Sequence, residues 1–343
     1  MGSAEDQLKD MLKELKSRSM VQVALESGLY ALILLLLFVG NSATLAVVAV
    51  NPRMRTIPNM FVTSLAITDL LLGALSTCPI GLTTLVISQW PFKGTSCQYQ
   101  GYIVVTLAVA SMQTLALMAV NRYFRIVSPA KYRRYFTKTK TRVMILMSWI
   151  WSAWAPLPYL LSGHKMVFHP SKFFCYLQID SGPFTAFMVT INIGLPTSVI
   201  VYCYVKIHQT VRTHNNDFRV TGTRSNTINV EEIKVARTLF VIVVFFMLCW
   251  TPILLIDVVD TIYGSWIFPR EVYVAYSYLG TISSALNPFI YGVFNKNFQK
   301  EYLKMLRCSC CHFHRATVEP FILVEKKACG KQYRSQLNRC KNQ

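Results

Sequence analysis

Charge is scarce in this chain. Asp, Glu, Lys and Arg together make up only 15% of its 343 residues, where an average soluble domain carries about a quarter. Hydrophobic residues account for 53%, and the mean hydropathy is +0.36. So few charges cannot cover a surface that meets water everywhere, so the excess apolar surface faces lipid. Acid is scarcer still, with 16 Asp and Glu against 35 Lys and Arg, for a net charge of +19. A basic balance can mark a nucleic-acid binder, but here the bases lie between long uncharged runs rather than in patches. That is the pattern of membrane proteins with basic loops on one side, and it excludes nucleic acid as a partner. Catalytic constellations are also missing. There is no HExxH, no Gly-x-Ser-x-Gly and no carboxylate pair at membrane depth, which excludes an enzyme. No internal repeat is visible, which weighs against a transporter of inverted halves. The opening residues lack the apolar core of a signal peptide.

What is present is a series of uncharged stretches. They cover residues 27–52, 94–121, 143–164, 181–205, 238–256 and 272–295, and a further one, 56–92, is broken only by Asp69. A helix needs roughly 20 apolar residues to cross the hydrocarbon core, and backbone in lipid must bond within its own helix. The expectation is an all-α membrane protein with seven spans. Alternate loops differ in charge. Arg53 and Arg55, then Arg125, Lys131, Arg133, Arg134, Lys138, Lys140 and Arg142, then Lys206, Arg212, Arg219, Arg224 and Lys234 fall on one side with the basic tail. The positive-inside rule then puts the N-terminus outside and the tail in the cytoplasm. The expected organisation is an outer segment at 1–24, the spans within 25–293, an amphipathic eighth helix at 294–307 and a basic tail at 308–343. Leu8, Leu12, Leu15 and Met20 share one side of a helical period, which predicts an amphipathic lead-in lying on the membrane surface.

Inside the spans are Gly40-Asn41, Leu65-Ala66-x-x-Asp69, Asn121-Arg122-Tyr123, Trp149, Pro196 with Tyr204, Phe246-x-x-Cys249-Trp250-x-Pro252 and Asn287-Pro288-Phe289-Ile290-Tyr291. In order and spacing this set resembles the rhodopsin-like (class A) G-protein-coupled receptors, over roughly residues 40–306. The resemblance implies a plasma-membrane receptor for an extracellular ligand. Its partners would be a heterotrimeric G protein, arrestin, a receptor kinase and the bilayer. Arg122, Tyr123, Tyr204, Phe246, Trp250, Pro252, Asn287, Pro288 and Tyr291 would form the activation switch. Asn121 departs from the family's usual Asp or Glu, so Arg122 loses a local ion-pair partner, as in melatonin receptors. Glu232 is either its partner across the bundle or a solvated acid beside Lys234. No cofactor is implied beyond an allosteric sodium ion. Asp69, Ser111, Ser283 and Asn287 would surround that ion, or Asp69 is instead protonated and bridged by water. Cys97 and Cys175 would form the family's disulfide. Cys308, Cys310 and Cys311, after the amphipathic stretch, are candidates for palmitoylation.

The ligand is read mainly by exclusion. Amine receptors of this family resemble one another in an Asp on the third span, where this chain has Val104, and opsins carry a retinal Lys where it has Thr281. The pocket implied by the resemblance is lined by Val104, Val105, Ala108, Met188, Val189, Asn192, Trp250, Ile253, Leu254, Asp257, Tyr273, Ser277 and Thr281. It is largely apolar with a few polar handles, which suits a neutral amphipathic ligand. Asp257 either meets a cation at the mouth or is a solvated helix end. An indole amide of the melatonin kind is one candidate, although melatonin receptors are similar in an NAxxY where this chain has Pro288. A peptide, a lipid, and a scaffold without signalling all remain open.

Overall fold

The computed structural model describes residues 4–93, 95–178, 186–187, 189–221 and 230–305, and the side chains among these except at 215–234. Residues up to Phe298 form one compact unit, and those from Gln299 belong to a second. The first span is Met20–Val50, opened by Ser19 and Gln22 in a reciprocal capping box. The others are Ile57–Ile87, Ser96–Val127, Lys138–Leu161, Thr190–His214 and Val235–Tyr263. These six helices are long and apolar enough to cross a membrane. The seventh, Arg270–Phe294, is long enough but less apolar, because Ser277, Thr281, Ser283, Ser284 and Asn287 are all buried along it. Residues 296–305 are helical, within the stretch expected of an eighth helix.

Exposed Leu25, Leu29, Leu32, Leu35, Leu36 and Val39 of the first span form the kind of apolar exterior that lipid covers. The polar side chains turn inward and tie helices together. Asn41 Nδ2 donates to Leu37 O at 3.0 Å and to Ser284 O at 3.1 Å, joining the first span to the seventh. Trp149 Nε1 donates to Ser64 Oγ at 3.0 Å, joining the fourth to the second. Prolines shape the spans as their missing N–H requires. Pro79 lies in a π-helical stretch, Gly73–Leu82, and a second π-helical segment, Thr190–Gly194, ends just before Pro196. The wider turn accommodates the pyrrolidine ring without breaking the helix.

Gly40 shows how closely the first and seventh spans approach. A Cβ there would stand 2.8 Å from Cγ and 2.9 Å from Cβ of Pro288, whose ring cannot rotate away. Gly40→Ala should therefore destabilise the solubilised protein by about 1–3 kcal/mol of overpacking, read as a lower melting temperature. Gly28→Ala, with nothing within 4 Å of the new carbon, should leave it unchanged.

Between the fourth and fifth spans lies an antiparallel hairpin, β1 (Met166–His169) and β2 (Phe174–Leu177), with Phe168 opposite Cys175. Cys175 is bonded to Cys97 at the start of the third span, as the resemblance implied. Gln98 holds the same strand end, donating to Met166 O and accepting from Met166 N, each at 2.9 Å. The N-terminal segment departs from expectation. Helix Ala4–Lys16 does not lie out on a membrane surface. Its Leu8 and Met11 pack on Ile253, Ile256, Trp266 and Tyr273, Leu15 is buried, and Gln7 Oε1 accepts from Trp266 N at 3.1 Å. The apolar stripe was legible, but its partner was aromatic protein surface rather than lipid headgroups. The boundary also shifts, since the first-span helix starts at Met20 rather than near residue 25.

Candidate ligand cavity and switch residues

A cavity opens among the spans beneath the hairpin and encloses about 1190 Å³ of space, its mouth included. Val104, Val105 and Ala108 of the third span line it, with Val189 and Asn192 of the fifth, Trp250 and Ile253 of the sixth, and Ser277 and Thr281 of the seventh. Each of these was expected from the sequence. Three expected residues are not in the wall. Leu254 lies one helical step round from Ile253. Tyr273 is one turn above Ser277 and is spent on Asp260, donating to its two carboxylate oxygens at 2.9 and 3.0 Å. Asp257 is engaged elsewhere, as described below. Met188 lies outside the described residues. Asn192 Oδ1 accepts from Trp151 Nε1 at 3.1 Å, so the fourth span orients this amide.

Several wall residues were missed in the sequence: Tyr30, Gln100, Tyr276, and Phe173, Phe174, Tyr176 and Leu177 of the hairpin. The signal for the hairpin set was present. Once Cys175 is tied to Cys97, its neighbours Phe174 and Tyr176 must lie above Val104. Among the described residues that line it there is no Asp, Glu, Lys, Arg or His.

Just above the cavity sits a buried ion pair. Lys172 Nζ lies 3.0 Å from Asp257 Oδ1, with side chains 3% and 11% exposed. Tyr276 and Tyr176 donate to Oδ2 at 2.8 and 3.3 Å, and the ammonium stands 3.9 Å above the Tyr276 ring centre. The cation expected near Asp257 is therefore the protein's own, and Asp257 is not a solvated helix end.

At the other end of the bundle, Arg122 is 1% exposed. Its Nη2 donates to Asn121 Oδ1 at 3.0 Å, so a neutral amide accepts where the family's usual carboxylate would. Tyr123 instead pairs with Tyr202, ring centres 6.0 Å apart. Tyr204 is buried against Phe240, and Tyr291 stacks on Phe298. Trp250 lies at the cavity floor, stacked on Phe246 at 5.4 Å, with Pro252 inside the same helix. Its Nε1 donates to Ser283 Oγ at 3.2 Å. Asn287 Nδ2 donates to Asp69 Oδ2 at 2.9 Å, one helical step before Pro288. The Glu232 side chain and Cys308, Cys310 and Cys311 lie outside what is described.

The pattern expected of the seven-transmembrane receptors of the rhodopsin family matches this chain over residues 40–291. The chain belongs to that family. It is a G-protein-coupled receptor and no enzyme, of a kind that crosses the plasma membrane several times. It is 28% identical to melatonin receptor type 1A of Ovis aries over 276 residues, 79% of this chain and 74% of that one. It is also 28% identical to melatonin receptor type 1C of Gallus gallus over 287 residues, 82% of each chain. Against melatonin receptor type 1B-B of Danio rerio the identity is 27% over 271 residues, 78% of this receptor and 77% of that one.

Two further observations bear on the receptor's chemistry. Asp69 is 1% exposed, and its side-chain partners are Asn287 and Ser284. Ser111 donates to Thr68 instead, and Ser283 donates to Gly280 O while accepting from Trp250. Of the expected sodium shell, only Asp69 and Asn287 meet directly, and Ser284 stands where Ser283 was expected. Secondly, His169 in the hairpin is buried between Trp266 and Tyr273. Burial, and then the nearby Lys172 charge, hold its imidazole well below its ordinary value. An unfolded imidazole takes up a proton near pH 6.5 and the folded one resists. Stability is therefore full above that pH and should fall below it, by about 1.4 kcal/mol per pH unit until the folded ring protonates. Melting temperatures of the solubilised receptor between pH 7.5 and 5 should show this decline, flattened in His169→Gln.

Proposed function

We propose that this receptor takes a neutral, amphipathic small molecule in the cavity below the hairpin and activates a heterotrimeric G protein. The observation that carries the reading is the cavity wall, mostly apolar, without a charged side chain among its described residues, and floored by Trp250 on Phe246. Val104 and Thr281 sit in that wall where an amine or retinal receptor of this family would need an Asp or a Lys. An indole amide is the first candidate, supported by the likeness to melatonin receptors and by Asn121.

In this reading the disulfide end faces outside, where a disulfide persists, and the tail faces the cytoplasm. Ligand against Trp250 would favour a packing in which the sixth span pivots at Pro252 and swings outward. Arg122, Tyr204 and Tyr291 would then meet a G-protein helix in the opened space. Asp69, Asn287 and Ser284 offer a carboxylate and hard oxygens of the kind that hold sodium, with no cation paired to Asp69 among the described residues. Such an ion would favour the closed packing. Arrestin and a receptor kinase would engage the same cytoplasmic face.

The test is G-protein dissociation in cells expressing the receptor, across N-acylated indoles, simple amines, lipids and short peptides. The expected response is to the neutral indole amides. A response chiefly to simple amines would contradict the reading of Val104, and one chiefly to lipids or peptides would replace the ligand class.

A further inference from the structure

The cavity wall contains an amide with one half in use and the other free. Gln100, in the third span one turn below Cys97, is 0% exposed and lines the cavity. Its Oε1 accepts from the backbone N–H of Cys175 at 3.0 Å. That contact fixes which way round the amide stands. Turning it over would set an NH₂ against an N–H, donor against donor. The oxygen is therefore committed to the hairpin, and Nε2 is left buried with no hydrogen-bond partner among the described residues. Buried donors are nearly always satisfied, and one left open at a binding cavity calls for an acceptor from outside the chain.

The neighbouring hydroxyls are spent within the protein. Tyr159 donates to Lys165 O. Tyr176 and Tyr276 donate to Asp257. Ser277 donates to Lys172 O, and Thr281 bonds Ser277 O and Tyr30. Gln100 thus differs from these hydroxyls in offering a donor that no described residue takes up.

We propose that Gln100 Nε2 is the group that orients the ligand, donating to a carbonyl-type oxygen on a neutral molecule with an apolar body. This deepens the reading of the cavity as the ligand site and rests on it. An acyl group is then the feature the receptor recognises at the hairpin end of the cavity. The same apolar body without an acceptor leaves Nε2 buried and unsatisfied, a loss that a donor-built site penalises strongly. Because the disulfide and the Cys175 N–H hold the amide from the hairpin side, the donor is positioned before ligand arrives.

The test uses purified full-length receptor in lipid nanodiscs and two neutral probes, 3-acetylindole and 3-ethylindole, which differ in the carbonyl. Ligand-observed NMR titration gives their affinities, with empty nanodiscs as the blank. Gln100→Leu removes both the acceptor and the donor. Gln100→Met also removes both and fills similar space, so the outcome does not depend on one variant folding. The wild type should prefer the acetyl probe by roughly tenfold, a difference of about 1.4 kcal/mol. Both variants should lose that preference while retaining the ethyl probe. Equal binding of the probes by the wild type, or a preference surviving in either variant, overturns the proposal. Binding of neither probe overturns it together with the reading of the cavity. A Gln100-dependent acetyl preference, with no G-protein response to any tested ligand, leaves this inference standing and contradicts only the signalling reading.

Discussion

Arg122→Ala should reach the cell surface at near wild-type levels and fail to trigger G-protein dissociation. Arg122 is 1% exposed, and its described side-chain bond, to Asn121 Oδ1, is to a neutral group on the same helix. Truncation leaves the Asn121 amide, a neutral group, without that donor, a loss of about 1–3 kcal/mol that folding should tolerate. Signalling should not. A guanidinium offers charge-assisted donors to the carbonyls at the end of an arriving helix, each such bond contributing about 1.5–3 kcal/mol. The expected fall in ligand-stimulated dissociation is about tenfold to a hundredfold. Surface labelling beside the signalling assay separates the two effects. A normal response in the variant would remove Arg122 from the switch.

Lys172→Met should be the most destabilising single change at the hairpin end. It keeps the apolar stem but removes the ammonium from Asp257, whose side chain is 11% exposed. The tyrosine hydroxyls at 2.8 and 3.3 Å partly solvate the stranded carboxylate without neutralising it. Breaking one side of a buried pair typically costs about 3–5 kcal/mol. The melting temperature of solubilised receptor should fall accordingly. Adding Asp257→Asn should restore much of the loss, because the second change removes the unpaired charge. Equal and additive losses from the two changes would mean that the pair is not coupled.

The spans were legible because lipid imposes a local rule. A helix crossing hydrocarbon must exclude charge over its whole length, so charge gaps mark it without any knowledge of its neighbours. The uncharged run 27–52 differs from the helix Met20–Val50 mainly at its start, where Glu26 interrupts the run. Glu26 stays in the helix because Arg18 and Arg270 both bond it, and no local pattern shows such a contact. The same limit applies to the cavity. Val104, Asn192 and Trp250 follow from helical spacing and family likeness. Lys172 reads as a loop charge, and Gln100 as an ordinary polar residue near a helix start. Only the Cys97–Cys175 bond and the hairpin it anchors bring these two against Asp257 and the ligand space. The N-terminal helix failed in the same way. Its stripe was visible, but Trp266 and Tyr273, which cover it, lie some 250 residues away in sequence, as the Gln7–Trp266 separation of 259 shows.

The most direct test of the central claim is nucleotide exchange on purified heterotrimeric G protein, catalysed by purified receptor in nanodiscs, with and without an N-acylated indole. Exchange should be faster than with G protein alone, faster again with the indole amide, and slow throughout for Arg122→Ala. Exchange at the rate of G protein alone under every ligand class tested, from receptor shown to be folded, would contradict the claim.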